Sequence, residues 1–258
     1  MKITSQLPIG FFDSGVGGLS VLREAVRLMP QEDYIFFGDS ANAPYGTKTV
    51  EEIRRLSLSR AELLYSLGIK ALVVACNTAT SAAISILREV YTDIPVIGIE
   101  PALKPAVSIG SHPRVIVMAT PLTVHGKKLH ELLGRYAGEA DVIPLSCPGL
   151  MEFVEDGNLD GPEVKAYLRN LLLPCTDQSV SAIVLGCTHY PFLKNTIQEI
   201  VGPQILILDG GAGTARQLRR KLQEENLLKS PGSSGKIEYR ESMPQKLPLC
   251  RKLMSLPW

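Results

Sequence analysis

Two cysteines of this 258-residue chain sit in matching surroundings. Cys76 follows the apolar run "ALVVA" and opens "CNTATSAA", while Cys187 follows "AIVLG" and opens "CTHYPFL". Each lies between a β-branched run that reads as a strand and the start of a helical pattern, where the helix dipole and free backbone N–H groups favour a thiolate. An unperturbed thiol has a pKa of about 8.5, close enough to neutrality for either protonation state to be reached. That suits a group that takes a proton in one direction and returns it in the other. His189, close behind Cys187, titrates near physiological pH and is placed to tune that thiol. Glu155 in "CPGLMEFVEDG" is the candidate to act with it, and Glu152 is its competitor.

The remaining cysteines differ. Cys147 precedes Pro148 and lacks this pairing, and Cys175 and Cys250 read as structural. An odd count with no C-x-x-C pair speaks against a disulfide framework. Cys187 and His189 place two metal-ligand types side by side, but zinc needs further ligands at recognisable spacing. No motif marks a Schiff-base lysine with a phosphate cradle. Neither a metal nor a cofactor is expected. The loop "DSGVGG", Asp13 to Gly18, is not a dinucleotide fingerprint, because Ser20 stands where the third glycine belongs. Asp13 would also repel phosphate. The glycine N–H groups and Ser14 suit a ligand carboxylate instead, and Asp13 suits an ammonium group or a neighbouring base.

Strands are expected at Ile9 to Asp13, Tyr34 to Asp39, Ala71 to Ala75 and Pro95 to Ile99. A second set is expected at Val115 to Thr120, Asp141 to Ser146, Ala182 to Gly186 and Gln204 to Leu208. Helical patterns such as "VEEIRRLSLSRAELLYSLG" alternate with them, which predicts an α/β fold of parallel strands and crossover helices. Equivalent positions of the two sets recur at nearly constant spacing: Ile9 and Val115 are 106 positions apart, Cys76 and Cys187 are 111. That predicts two pseudo-symmetric lobes, residues 1–98 with 210–258 and residues 99–209, facing each other across a cleft with a cysteine on each wall. Strand ends are where open α/β sheets bind ligands, and polar residues gather there: Asp13, Ser14, Asp39, Ser40, Asn77, Thr78, Thr120, Thr188 and His189 among them. After Asp209 come an amphipathic helix, a flexible "KSPGSSGK" linker, and a last strand and helix at "IEYRES" and "LPLCRKLMSL".

Lys+Arg 27 against Asp+Glu 26 gives a formal net charge of +1, so no overall field recruits nucleic acid or an anionic membrane. A small molecule is the expected partner. The N-terminal stretch reaches a glycine turn before any signal-like apolar segment, and no run approaches a membrane span, so a cytoplasmic location is expected.

"FFDSGVGG", "PYG" at Pro44 to Gly46, "ACNTAT" and "GCTHYP", in this order, resemble the glutamate racemases of the cofactor-independent aspartate/glutamate racemase superfamily. The resemblance runs from about Ile9 to Arg216. It implies interconversion of L- and D-glutamate, supplying D-glutamate to peptidoglycan synthesis and so to cell wall biogenesis and cell shape. It implies Cys76 and Cys187 exchanging the α-proton on opposite faces of the substrate, Asp13 assisting Cys76, and His189 and Glu155 assisting Cys187. Asp13, Ser14, Tyr45, Gly46, Asn77, Thr78, Thr188 and His189 would contact the substrate, with Thr120 added from its strand-end position. A homodimer is a further family expectation. The rival readings are a two-cysteine enzyme acting on aspartate or another carboxylate, and a two-lobed protein that binds an amino acid without chemistry.

Overall fold

The computed structural model describes residues 2–177, 179–232 and 234–257. Ser233, within the segment read as a linker, lies outside them, as do Met1, Gln178 and Trp258. The chain divides into two units, Met1–Glu100 with Gly211–Trp258, and Pro101–Gly210.

The first unit begins β1 (Ile9–Asp13), α1 (Leu19–Leu28), β2 (Tyr34–Gly38), α2 (Val50–Ser66), β3 (Ala71–Val74), α3 (Asn77–Val90), β4 (Val96–Gly98). Every residue of β1, β2 and β3 is buried. That is why these strands read as unbroken apolar runs: a parallel sheet between helices is dry on both faces. β1 pairs in parallel with β2 and β3, and β3 with β4. Thr49 caps α2 by accepting the Glu52 N–H, and Glu51 and Glu52 complement the positive helix end. The polar side of α2 remains outside, while Ile53, Leu56, Ala61 and Leu64 face the core.

The second unit runs α4 (Leu103–Val107), β5 (Arg114–Ala119), α5 (Pro121–His125), α6 (Lys127–Tyr136), β6 (Asp141–Ser146), α7 (Leu150–Glu155), α8 (Pro162–Leu172), β7 (Val180–Leu185), α9 (Lys194–Val201), β8 (Leu206–Asp209). Its four strands lie in the order β6-β5-β7-β8, all parallel. Val115, Val117, Ala182 and Val184 share one face and pack with Leu103, Val107 and Leu129 from α4 and α6. β6 is an edge strand with exposed positions, which accommodates Pro144 and its missing N–H.

The chain then returns to the first unit through α10 (Gly211–Glu224), β9 (Ile237–Glu241) and α11 (Leu247–Ser255). β9 adds in parallel beside β2, completing the order β4-β3-β1-β2-β9. At the amino end of this sheet, Lys70 and Glu32 form an ion pair with both side chains fully buried. Glu32 also accepts the Lys229 N–H at 2.7 Å, which ties the returning segment to the strand starts. Among the described residues, no helix is long and apolar enough to cross a membrane.

Reversing the second sheet's order gives β8-β7-β5-β6, which matches β4-β3-β1-β2 of the first. The expected pair of pseudo-symmetric parallel sheets is therefore present. Most strand bounds fall within a residue or two of the expected ones.

Candidate active site

The register makes the cysteines equivalent. In the first unit Phe12 of β1 pairs with Val74 of β3, and Cys76 follows two residues later. In the second, Met118 of β5 pairs with Leu185 of β7, and Cys187 follows two residues later. By the same register Asp13 corresponds to Ala119 and Ser14 to Thr120. The hydroxyl is kept at both strand ends and the carboxylate at one.

In the first unit, Cys76 is buried and is the N-cap of α3, its sulfur accepting the Ala79 N–H at 3.4 Å. The sulfur takes the place usually filled by a Ser, Thr or Asp oxygen. The Cys76 thiol also donates to Ser14 Oγ at 3.5 Å, and the Ser14 hydroxyl donates to Asp13 Oδ1 at 3.3 Å. Asp13 is thus connected to the thiol through Ser14. The Gly15 N–H fixes the carboxylate by donating to the same oxygen at 2.9 Å. Gly18 is required by close approach: a Cβ there would lie 2.6 Å from Asp13 Cβ and 2.9 Å from Ala75 Cβ. Asn77 and Thr78 are buried on the first turn of α3. Asn77 Oδ1 is buried with no hydrogen-bond partner, a costly state for an acceptor unless a ligand supplies the donor. Tyr45 is buried in a 3-10 turn, Tyr45–Thr47, that packs against α3, and Gly46 is half-buried.

In the second unit, Cys187 Sγ lies 3.7 Å from His189 Nδ1, and His189 Nε2 lies 2.8 Å from Glu155 Oε1. All three residues are buried. Burial opposes the charged imidazole, yet the hydrogen bonds to Cys187 and Glu155 outweigh it and raise the His189 pKa well above the usual histidine value. Glu155 ends α7, whereas Glu152, one turn earlier, is exposed. Thr188 is buried beside Cys187. Thr120 caps α5, its Oγ1 accepting the Thr123 N–H at 3.4 Å. Cys147 is pushed up to about 12 by burial and then by the charge of Cys187, so it stays a thiol at neutral pH. Among the described residues, none of the five cysteines forms a disulfide.

One expectation fails here. No α-helix starts directly at Cys187. Tyr190–Leu193 is a 3-10 turn, and α9 begins only at Lys194. Pro191 is the physical reason, since it can neither donate to the Cys187 carbonyl nor fit its ring against it in an α-helix. The Tyr190 N–H bonds back to Cys187 O instead, at 3.1 Å. Where Cys76 has a helix start beside it, Cys187 has His189, whose pKa is raised by its hydrogen bonds to Cys187 and Glu155.

Asp39, at the end of β2, carries more of this architecture than its sequence reading assigned to it. It is fully buried and accepts from Tyr45 Oη at 2.8 Å. The signal was visible as a repeated dipeptide, Asp13-Ser14 and Asp39-Ser40, each closing a phenylalanine-rich strand.

The model of the Asp/Glu/Hydantoin racemase family matches residues 13–218. The chain is 53% identical over 251 residues to a glutamate racemase of Clostridium perfringens, covering 96% of both chains. Among solved structures it is similar to glutamate racemase from Thermus thermophilus in complex with beta-chloro-D-alanine, with 35% identity, a TM-score of 0.80, and coverage of 98% of this chain and 94% of that one. It is also similar to glutamate racemase from Francisella tularensis in complex with D-glutamate, with 29% identity, a TM-score of 0.84, and coverage of 98% and 95%. The chain belongs to the Asp/Glu/Hydantoin racemase family and, within it, to the glutamate racemases.

Proposed function

We propose that the chain interconverts L- and D-glutamate by proton transfer at the α-carbon, with Cys76 serving one face of the substrate and Cys187 the other. The observation that carries this reading is the register: two parallel sheets of one topology each end in a cysteine two residues beyond the same rung. The relative from Francisella tularensis, solved with D-glutamate, supports the substrate.

Inverting a stereocentre through a planar carbanion requires removal of a proton from one face and delivery to the other. One cysteine, as thiolate, takes the α-proton, and its S–H bond forms as Cα–H breaks. The electron pair moves into the α-carboxylate as enolate-like charge. The other cysteine, as thiol, returns a proton to the opposite face and is left as thiolate. The reverse direction exchanges these roles. Asp13, acting through Ser14, supports the protonation changes of Cys76, and the His189–Glu155 pair supports those of Cys187.

The α-C–H is weakly acidic, so fixed donors must stabilise the developing charge. Ser14, Asn77, Thr78, Thr120 and Thr188 are the candidates, with Tyr45 and Gly46, and the unpaired Asn77 Oδ1 suits the substrate ammonium. The product serves peptidoglycan synthesis, in the cytoplasm, by an enzyme that acts as a homodimer. Chiral assay of both enantiomers of glutamate and aspartate tests the substrate. Turnover of both glutamate enantiomers is expected, and activity confined to aspartate would overturn the assignment.

A further inference from the structure

Asp39 joins three elements of the first unit. Its carboxylate accepts from Tyr45 Oη at 2.8 Å and from Asn42 Nδ2 at 3.0 and 3.2 Å. Arg60 of α2 faces it at 3.8 Å, with its guanidinium 5.4 Å from the centroid of the Phe37 ring. Its own N–H donates to the Asp13 carbonyl at 3.0 Å, so the carboxylate is anchored to the strand end that bears Asp13. As a stabilising device this is a poor choice, because burying a paired charge often gains nothing over apolar packing. What the carboxylate does provide is direction.

Burial, reinforced by the Asp39 carboxylate, pushes the Tyr45 phenol well above its usual range, so it is a permanent donor. With that proton committed to Asp39, the backbone of Tyr45 and Gly46 is what the turn offers a ligand. The turn packs on α3, the helix that Cys76 caps.

We infer that Asp39 is a positioning residue that holds the Tyr45–Gly46 turn against the Cys76 end of α3, and so sets the substrate contacts this turn makes. The inference rests on the proposed glutamate racemase reading, in which Tyr45 and Gly46 meet the substrate. Arg60 has a matching part. It neutralises Asp39, which would otherwise present a buried negative charge to a substrate that carries two carboxylates.

A binding contact present before and during the chemical step acts on KM rather than kcat. The test is kcat and KM for both glutamate enantiomers in Asp39→Asn, Tyr45→Phe and the double variant, with unfolding midpoints alongside. Loss of a hydrogen bond to a charged group predicts a KM raised about tenfold or more in each single variant, with kcat within about threefold. The double variant should be no worse than the worse single one, because both remove the same tie. Tyr45→Phe removes one hydroxyl and decides the matter alone if Asp39→Asn does not fold. A KM within about twofold of wild type in folded variants overturns the inference, as do effects that multiply in the double variant, while the racemase reading stands. Wild-type protein that turns over neither enantiomer removes the reading, and the inference with it.

Discussion

Glu155 Oε1 accepts a hydrogen bond from His189 Nε2 at 2.8 Å, with both side chains buried. This contact fixes which ring nitrogen faces Cys187, and it supports a charged imidazole beside the thiol. In the first unit Ser14 and Asp13, at the register positions of Thr120 and Ala119, are the groups linked to Cys76. The strand pairing is the same, while the partners of the thiol come from different places in the sheet.

The histidine's charge has a pH consequence. Its folded pKa is raised above the ordinary value of about 6.5, so the stability it contributes is fully present below that value. It is lost as pH rises through the folded pKa. Unfolding midpoints of wild type and His189→Gln, measured on both sides of neutrality, should differ most at the lower pH and converge as it rises. A gap that widens with pH would contradict the charged imidazole.

Glu155→Gln keeps the shape and removes the carboxylate, and racemisation should fall about 100-fold, toward the lower end of general acid–base effects. Glu152→Gln alters an exposed side chain and should leave both activity and unfolding midpoint near wild type. Steady-state assays of the two variants side by side separate them, and equal losses would remove the distinction between the two glutamates.

Gly186 sits where β7 meets Cys187, and a Cβ there would approach the Met118 carbonyl to 2.8 Å. That atom is backbone, so the segment bearing Cys187 must shift. Gly186→Ala should lose about 100-fold in turnover while keeping its secondary structure, since small misplacements of reacting groups are costly. Circular dichroism and a racemisation assay read both, and full turnover would show that the cysteine tolerates displacement.

Much of this was legible from the chain. Strand Ile9–Asp13 has the expected bounds, because a buried parallel strand leaves a plain apolar signature, and Asp141–Ser146 has them although it is a partly exposed edge strand. Equal spacing exposed the repeat. The 3-10 turn after Cys187 was signalled by Pro191, yet the resemblance of the two cysteine motifs favoured a helix at both. The Asp39–Tyr45 bond was not legible, since nothing in the spacing of two residues six positions apart says that a carboxylate and a phenol meet. Nor was the choice between Glu155 and Glu152, which depends on the burial of one helix face.

Lys70 and Glu32 are distant in sequence and fully buried together. Lys70 also donates to the Ser5 carbonyl at 2.6 Å. Lys70→Met leaves the buried Glu32 carboxylate without its cation, though still accepting the Lys229 N–H, and should cost about 3–5 kcal/mol in urea unfolding, far from the cysteine ends of the strands. A loss below about 1 kcal/mol would mean that Glu32 finds another partner or simply neutralises.

The central claim is that two thiols, one on each sheet, share one proton transfer. Racemisation of L- and D-glutamate in D2O, followed by enantiomer ratio and deuterium at Cα, tests it in wild type, Cys76→Ala and Cys187→Ala. Wild type should place solvent deuterium at Cα of the inverted product, and each folded variant should lose racemisation by at least about 10³-fold in both directions. Normal turnover by either variant would contradict the two-base account.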